Sequence, residues 1–321
     1  MINDPINTLP LSRLFERLND DAALDTLIGL ARREDLGPFF SSPPGGGRDT
    51  AHADQSTGDI TTALSISSDA TSTAHFRPRN PGRLAGAILL SRIAKHYDPR
   101  LRITSHADDG DSLSPGQTIA AVTGPLRSIL AAERVMLNFL THLSGIATLT
   151  DRYVQAVAGT QAKIHDTRKT IPGYRGLAKY AVRCGGGFCH RIGLYDAVLV
   201  KDNHIADITG SLADRITRLI TASRQRTPAP DFIEVEVDTL DQLEQVLPLG
   251  CDIILLDNMP PEVLQQAVAM RDRILPGVML EASGGVNLDT VSIIAHSGVD
   301  RIAVGALTHS ASALDIGLDI P

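Results

Sequence analysis

After Gly159 the chain settles into a repeating texture that leaves few folds open. Six short apolar runs recur, at 162–165, 197–200, 233–237, 253–256, 278–280 and 302–304. Between most of them lie amphipathic helical patterns, such as Leu240, Leu243, Val246 and Leu247, or Val263, Leu264, Ala267 and Val268. Apolar strands alternating with helices predict a parallel sheet covered by helices, because such strands are buried on both faces. No Gly-x-Gly-x-x-Gly follows any run, so a dinucleotide-binding sheet loses ground to a barrel. Six strands do not support full eightfold closure.

Upstream, residues 9–35 read as one helix, with Leu11, Leu14, Phe15, Leu18, Leu24, Leu27, Ile28 and Leu30 at three-and-four spacing. Residues 38–57, rich in Pro, Gly, Ser and Thr, read as a flexible surface loop. From Gly58 to about Pro125 short strand-like signals follow, including Ala74–Arg77 and Leu84–Leu90, separated by turns such as Asp108-Asp109-Gly110-Asp111. Ser128 is placed to cap a long helix through Leu143, which Gly145 bends or breaks before a second run to about Val157. An α/β domain therefore precedes the barrel.

Where polar residues sit decides what the barrel does. Each run leads into them: Asp166-Thr167-Arg168-Lys169, Lys201-Asp202-Asn203, Glu236 and Asp238, Asp257-Asn258, Glu281-Ala282-Ser283-Gly284-Gly285 and Gly305-Ala306. Barrel chemistry collects at the C-terminal strand ends, and phosphate sites form in the last loops. Charge sharpens this. The net charge is −7, which disfavours nucleic acid and anionic membranes as partners. Yet residues 163–204 hold eight Lys/Arg against three Asp, a local +5, so the remainder carries −12.

Arg168, Lys169, Arg191 and Lys201, with His190, suit a ligand bearing several carboxylates or phosphates, since guanidinium groups grip carboxylates through paired hydrogen bonds. A solvated basic face is the plainer alternative. Glu236 and Asp257 suit Mg²⁺ shared with phosphates, or equally the N-termini of helices. Ser283, Gly284 and Gly285 let backbone N–H groups approach an anion, although a simple turn has the same composition. His309 alone reads as structural. Cys184, Cys189 and His190 lack the spacing and fourth ligand of a zinc site. Three cysteines form no disulfide framework, and the N-terminus lacks a signal pattern, so a cytoplasmic protein is expected.

These residues also carry a resemblance. Ala132-Glu133-Arg134, Leu143–Thr148, Asp166–Thr170, Arg183–Gly187, His190-Arg191, Lys201–His204, Glu234-Val235-Glu236, Leu256–Asn258, Ser283–Gly285 and Val304–His309 occur in order. Together they resemble the quinolinate phosphoribosyltransferases. Glu34–Gly37 and Gly58–Thr62 look like one family motif split by the 38–57 insertion. One departure is local: Phe188-Cys189 stands where the family usually has Asn just before His-Arg.

The resemblance implies an N-terminal α/β sandwich at 1–137, rejoined by the tail 309–321, and an incomplete, TIM-like α/β barrel at 138–308. It implies transfer of phosphoribosyl from phosphoribosyl pyrophosphate to quinolinate with loss of CO2, assisted by Mg²⁺. Arg134, Arg168, Lys169, His190 and Arg191 would hold the dicarboxylate, with Arg134 reaching into a partner's site in a homodimer or hexamer. Lys169, Lys201, Ser283, Gly284, Gly285, Gly305 and His309 would serve substrate and phosphates. Lys169, Lys201, Glu236 and Asp257 would be catalytic, and Glu236 and Asp257 would hold the metal. The alternatives are a pyrophosphorylase-like paralogue associated with molybdenum transport, an aldolase using Lys201 as a Schiff base, and a non-catalytic binding homologue.

Overall fold

A computed structural model describes residues 5–37, 58–205 and 209–320. The chain divides into two compact units. One holds residues 15–148 and the tail from Ser312; the other holds 149–311 and the first described residues up to Leu14. The division therefore falls eleven residues beyond the expected 137/138 boundary, and the extreme N-terminus belongs with the barrel. The loop expected at 38–57 lies outside the described residues.

The N-terminal unit contains β1 (Thr71–Pro78), β2 (Gly82–Arg83), β3 (Arg102–Ser105), β4 (Ser112–Leu113) and β5 (Ala120–Pro125). The barrel unit contains six parallel strands: β6 (Lys163–His165), β7 (Val198–Val200), β8 (Ile233–Val237), β9 (Ile253–Asp257), β10 (Met279–Ser283) and β11 (Arg301–Ala303). They are ordered β6-β11-β10-β9-β8-β7. The tail then supplies β12 (Ile316–Asp319), antiparallel to β1, completing a sheet ordered β12-β1-β5-β3. The α/β class, the six parallel strands and the returning tail agree with the sequence reading.

Three local expectations are corrected. Residues 9–35 form two helices, Leu11–Leu18 and Asp21–Leu36, because the Asp20 side chain accepts the Ala23 N–H at 2.9 Å and starts a new helix. Leu84–Leu90 is not a strand: a helix runs from Ala87 to Tyr97, burying Leu89, Leu90, Ile93 and Ala94. Its first N–H, on Ala87, is capped by Asp109 Oδ1 at 2.9 Å, a partner 22 residues away that local patterning cannot reveal.

The third concerns the long helix. It runs unbroken from Leu126 to Ala156, so Ser128 lies within its first turn and donates to Asp98 Oδ2 at 2.6 Å. Gly145 does not end it. A Cβ on Gly145 would collide with the Ser312 carbonyl oxygen, so glycine is needed there for close passage of the tail.

Candidate active site

The strand register explains how the barrel carries charge inside. Glu234 and Glu236 pair with Ile253 and Leu255, Leu255 pairs with Glu281, Glu281 with Arg301, and Asp257 with Ser283. Residues in register on parallel strands point the same way, and side chains alternate along each strand. Glu234, Glu236, Asp257, Glu281, Ser283 and Arg301 therefore share the inner face. The opposite face, with Ile233, Val235, Val237, Ile254, Leu256 and Leu280, is buried and apolar.

Along this face the groups are graded by depth. Glu234, Glu281 and Arg301 are sealed at the bottom, while Glu236, Asp257 and Ser283 are half-buried near the strand ends. Lys201, one residue past β7, is ion-paired with Glu236. That arrangement suits a fixed cation rather than the amine nucleophile of a Schiff-base aldolase. Glu236 and Asp257 lie on neighbouring strands two residues out of register, which places their α-carbons roughly 8 Å apart.

The last strands end in tight backbone. Asn258 has a left-handed φ of 53°, its N–H donates to the Ser283 carbonyl at 2.8 Å, and its Nδ2 donates to Asp257 Oδ2 at 2.7 Å. Gly284 and Gly285 follow with φ of 98° and 60°, and a Cβ on Gly284 would strike Asn258 Oδ1. Across the sheet, a Cβ on Gly305 would lie 3.1 Å from both Lys169 Cδ and His309 Nε2. Lys169, Gly305 and His309 are thus gathered at one place. Thr308 Oγ1 pins that group by donating to the Lys169 carbonyl at 2.7 Å.

Arg191 is a second guanidinium group within range of the charge of Arg168. Burial, and then the neighbouring charge of Arg168, lower the Arg191 guanidinium from its usual value, against Glu234 and Asp196. Arg168 Nε is buried without a hydrogen-bond partner among the described residues. Like charges held together with donor capacity to spare are poised for an anion.

His190 departs from its expected place. Its ring is buried, with Nε2 3.0 Å from Glu234 and 3.2 Å from Glu281, and Arg301 Nε donates to Glu281 Oε2 at 2.7 Å. The imidazole faces protein carboxylates rather than an open surface. Burial alone would lower its pKa, but the two carboxylates overcome burial and hold it up to about 9. The Arg191 N–H, 2.7 Å from Nδ1, favours the neutral ring instead. Two opposite charges within 3.2 Å outweigh one backbone dipole, and the cation also balances the four-group set of Glu234, Glu281, Arg301 and His190. His165, also buried, is pushed far below its usual value by burial and then Arg301, and stays neutral.

Behind this layer, Lys179 and Asp166 are wholly buried and ion-paired, and Asp166 Oδ1 also accepts the His190 N–H at 2.8 Å. Lys179 donates to the His190 carbonyl at 3.1 Å. Of the basic island, then, Lys179 is structural, and so is Arg183, which donates to the Gly187 carbonyl at 2.9 Å. The amide missing at position 189 has a counterpart: Asn7 brackets the Cys189 backbone with its own side-chain amide. All three cysteines are buried.

Glu234, Glu281 and Lys179 were named without a role in the site by sequence reasoning, and Arg301 and Asn7 were not named. The alternation of Ile233-Glu234-Val235-Glu236-Val237 carried a signal for the first, since a period of two marks a strand with a polar face. Arg134 lies exposed on the long helix, in the N-terminal unit. No described helix is long and apolar enough to cross a membrane.

Comparison with known proteins places this geometry. Residues 59–144 match the family model described as quinolinate phosphoribosyl transferase, N-terminal domain, and residues 146–319 match its C-terminal domain. The nicotinate-nucleotide pyrophosphorylase [carboxylating] of Mycobacterium leprae is 47% identical over 265 residues, covering 82% of this chain and 91% of its own. A probable nicotinate-nucleotide pyrophosphorylase [carboxylating] of Bacillus subtilis is 39% identical, covering 83% and 89%. The solved structure of the Francisella tularensis nicotinate-nucleotide pyrophosphorylase superposes with a TM-score of 0.81 at 34% identity, covering 98% of this chain and 99% of that one. The chain belongs to the quinolinate phosphoribosyltransferase family.

Proposed function

We propose that this protein transfers the phosphoribosyl group of phosphoribosyl pyrophosphate to quinolinate with loss of CO2, forming nicotinate mononucleotide and pyrophosphate in de novo NAD biosynthesis. The observation that carries the substrate is the buried Arg168 Nε, which has no hydrogen-bond partner among the described residues and whose guanidinium charge acts on Arg191; two such groups suit an anion with more than one acceptor oxygen. Quinolinate, with two adjacent carboxylates, meets that need. In this reading Arg134 of the partner subunit completes each site, in a homodimer or a hexamer built from it, in the cytoplasm.

Chemistry follows from the remaining groups. The pyridine nitrogen attacks the anomeric carbon as pyrophosphate leaves, and no base is required because that nitrogen carries no proton. Positive charge develops on the ribose, which Glu236 and Asp257 stabilise from the strand ends. Lys169, Lys201 and the N–H groups of Ser283–Gly285 and Gly305 hold phosphates, and His309 stands beside them. The positive charge of the new pyridinium nitrogen then stabilises the electron pair left on the adjacent ring carbon as its carboxylate departs as CO2, and that pair takes up a proton.

Glu236 and Asp257 fit Mg²⁺: both offer hard oxygen donors on one face, spaced for an ion that keeps most of its waters. When bound, the ion supplies charge neutralisation for the leaving pyrophosphate. Product chromatography with quinolinate and nicotinate as rival acceptors, each with phosphoribosyl pyrophosphate and Mg²⁺, tests the assignment. Nicotinate mononucleotide should form from quinolinate in strong preference; preference for the monocarboxylate would refute the role of Arg168 and Arg191.

A further inference from the structure

We propose that Asn7 is a positioning residue for the dicarboxylate site, acting through the segment that carries His190 and Arg191. This rests on the functional reading above. Phe188 forms an isolated parallel bridge with His165 at the edge of the six-stranded sheet. Its N–H donates to the Ile164 carbonyl at 2.8 Å, and its carbonyl accepts the Asp166 N–H at 3.0 Å. Backbone polar groups alternate in direction along an extended chain, so those of Cys189 point away from β6.

An edge of this kind leaves a donor and an acceptor without a strand to pair with. Cys189 is buried, so both groups need partners within the protein. Asn7 provides them: its Nδ2 donates to the Cys189 carbonyl at 2.8 Å, and its Oδ1 accepts the Cys189 N–H at 2.7 Å. The side-chain amide thus imitates the peptide of an adjoining strand, from a residue 182 positions away. Arg183 fixes Asn7 in turn, donating from Nη2 to its carbonyl at 3.1 Å. With Asp166 and Lys179 holding His190 from behind, the backbone entering Arg191 is gripped on both sides. Its guanidinium is thereby aimed before substrate arrives, which lowers the ordering cost of binding.

The test compares Asn7→Ala, Asn7→Leu and Asn7→Gln in the full-length protein. Loss of two hydrogen bonds predicts that KM for quinolinate rises about tenfold in the Ala and Leu variants. KM for phosphoribosyl pyrophosphate should stay within about twofold, and Gln, which keeps the amide, should recover most of the loss. Amide hydrogen exchange at Cys189, His190 and Arg191 in the free protein should quicken in Ala and Leu but not in Gln. An unchanged quinolinate KM, or an equal rise in both KM values, overturns the proposal. If the unmodified protein does not use quinolinate, the functional reading fails by itself. Exchange then still decides whether Asn7 orders the segment, and unchanged exchange overturns that too.

Discussion

The imidazole Nε2 of His190 lies 3.0 Å from the carboxylate of Glu234, and both side chains are buried on the inner face of the barrel. A histidine whose pKa rises on folding stabilises the folded state in its charged form. Its contribution is complete below the ordinary value near 6.5 and is lost as pH climbs through about 9. The unfolding free energy from denaturant titrations should therefore fall between pH 6.5 and 9, by about 3 kcal/mol at most from this group. In His190→Gln the fall over that window should be largely absent; an unchanged slope would refute the charged imidazole.

Lys179 and Asp166 form an ion pair with no exposure on either side chain. Lys179→Met should destabilise by ~3–5 kcal/mol, because it strands a buried carboxylate. The double variant D166N/K179M, which removes both charges but keeps an acceptor for the His190 N–H, should recover part of that loss. Thermal unfolding of the three proteins checks both statements.

Gly145 tests the tail. A methyl group there meets the Ser312 carbonyl, so Gly145→Ala should destabilise by about 1–3 kcal/mol despite the higher helix propensity of alanine. Neutral or improved stability in urea would mean that the tail does not pass so close.

Arg134 and Arg168 test the proposal of a site shared between subunits. Arg134→Ala and Arg168→Ala should each lower turnover by at least a hundredfold. Mixing the two should restore up to about a quarter of normal activity, since half of the subunits become heterodimeric and each heterodimer holds one intact site. Subunit exchange, followed by mass spectrometry, confirms that mixing took place; exchange without rescue counts against the arrangement.

The barrel was legible because its strands are continuous on their outer faces, and Lys201, Glu236, Asp257 and Ser283 all emerged at strand ends. The deeper layer was less so. Glu234 lies inside a run that read as apolar and Glu281 directly follows one, and only register shows that they face one another's strands around His190. Lys179 looked like one cation among eight, yet its burial against Asp166 depends on a tertiary contact 13 residues away. Asn7 was beyond reach for the same reason, being paired across 182 residues. Where a local pattern was silent, as at Ala87 with its cap from Asp109, a strand was expected in place of a helix.

In the proposed reaction Arg168 and Arg191, the cationic strand ends and the two carboxylates join phosphoribosyl transfer to decarboxylation. Quinolinate labelled in the carboxylate next to the ring nitrogen measures this directly. With phosphoribosyl pyrophosphate and Mg²⁺ present, labelled CO2 should be released in one-to-one ratio with pyrophosphate, and Glu236→Ala should abolish both together. Absence of label release from folded protein with all three components present, or release without phosphoribosyl pyrophosphate, would contradict the account.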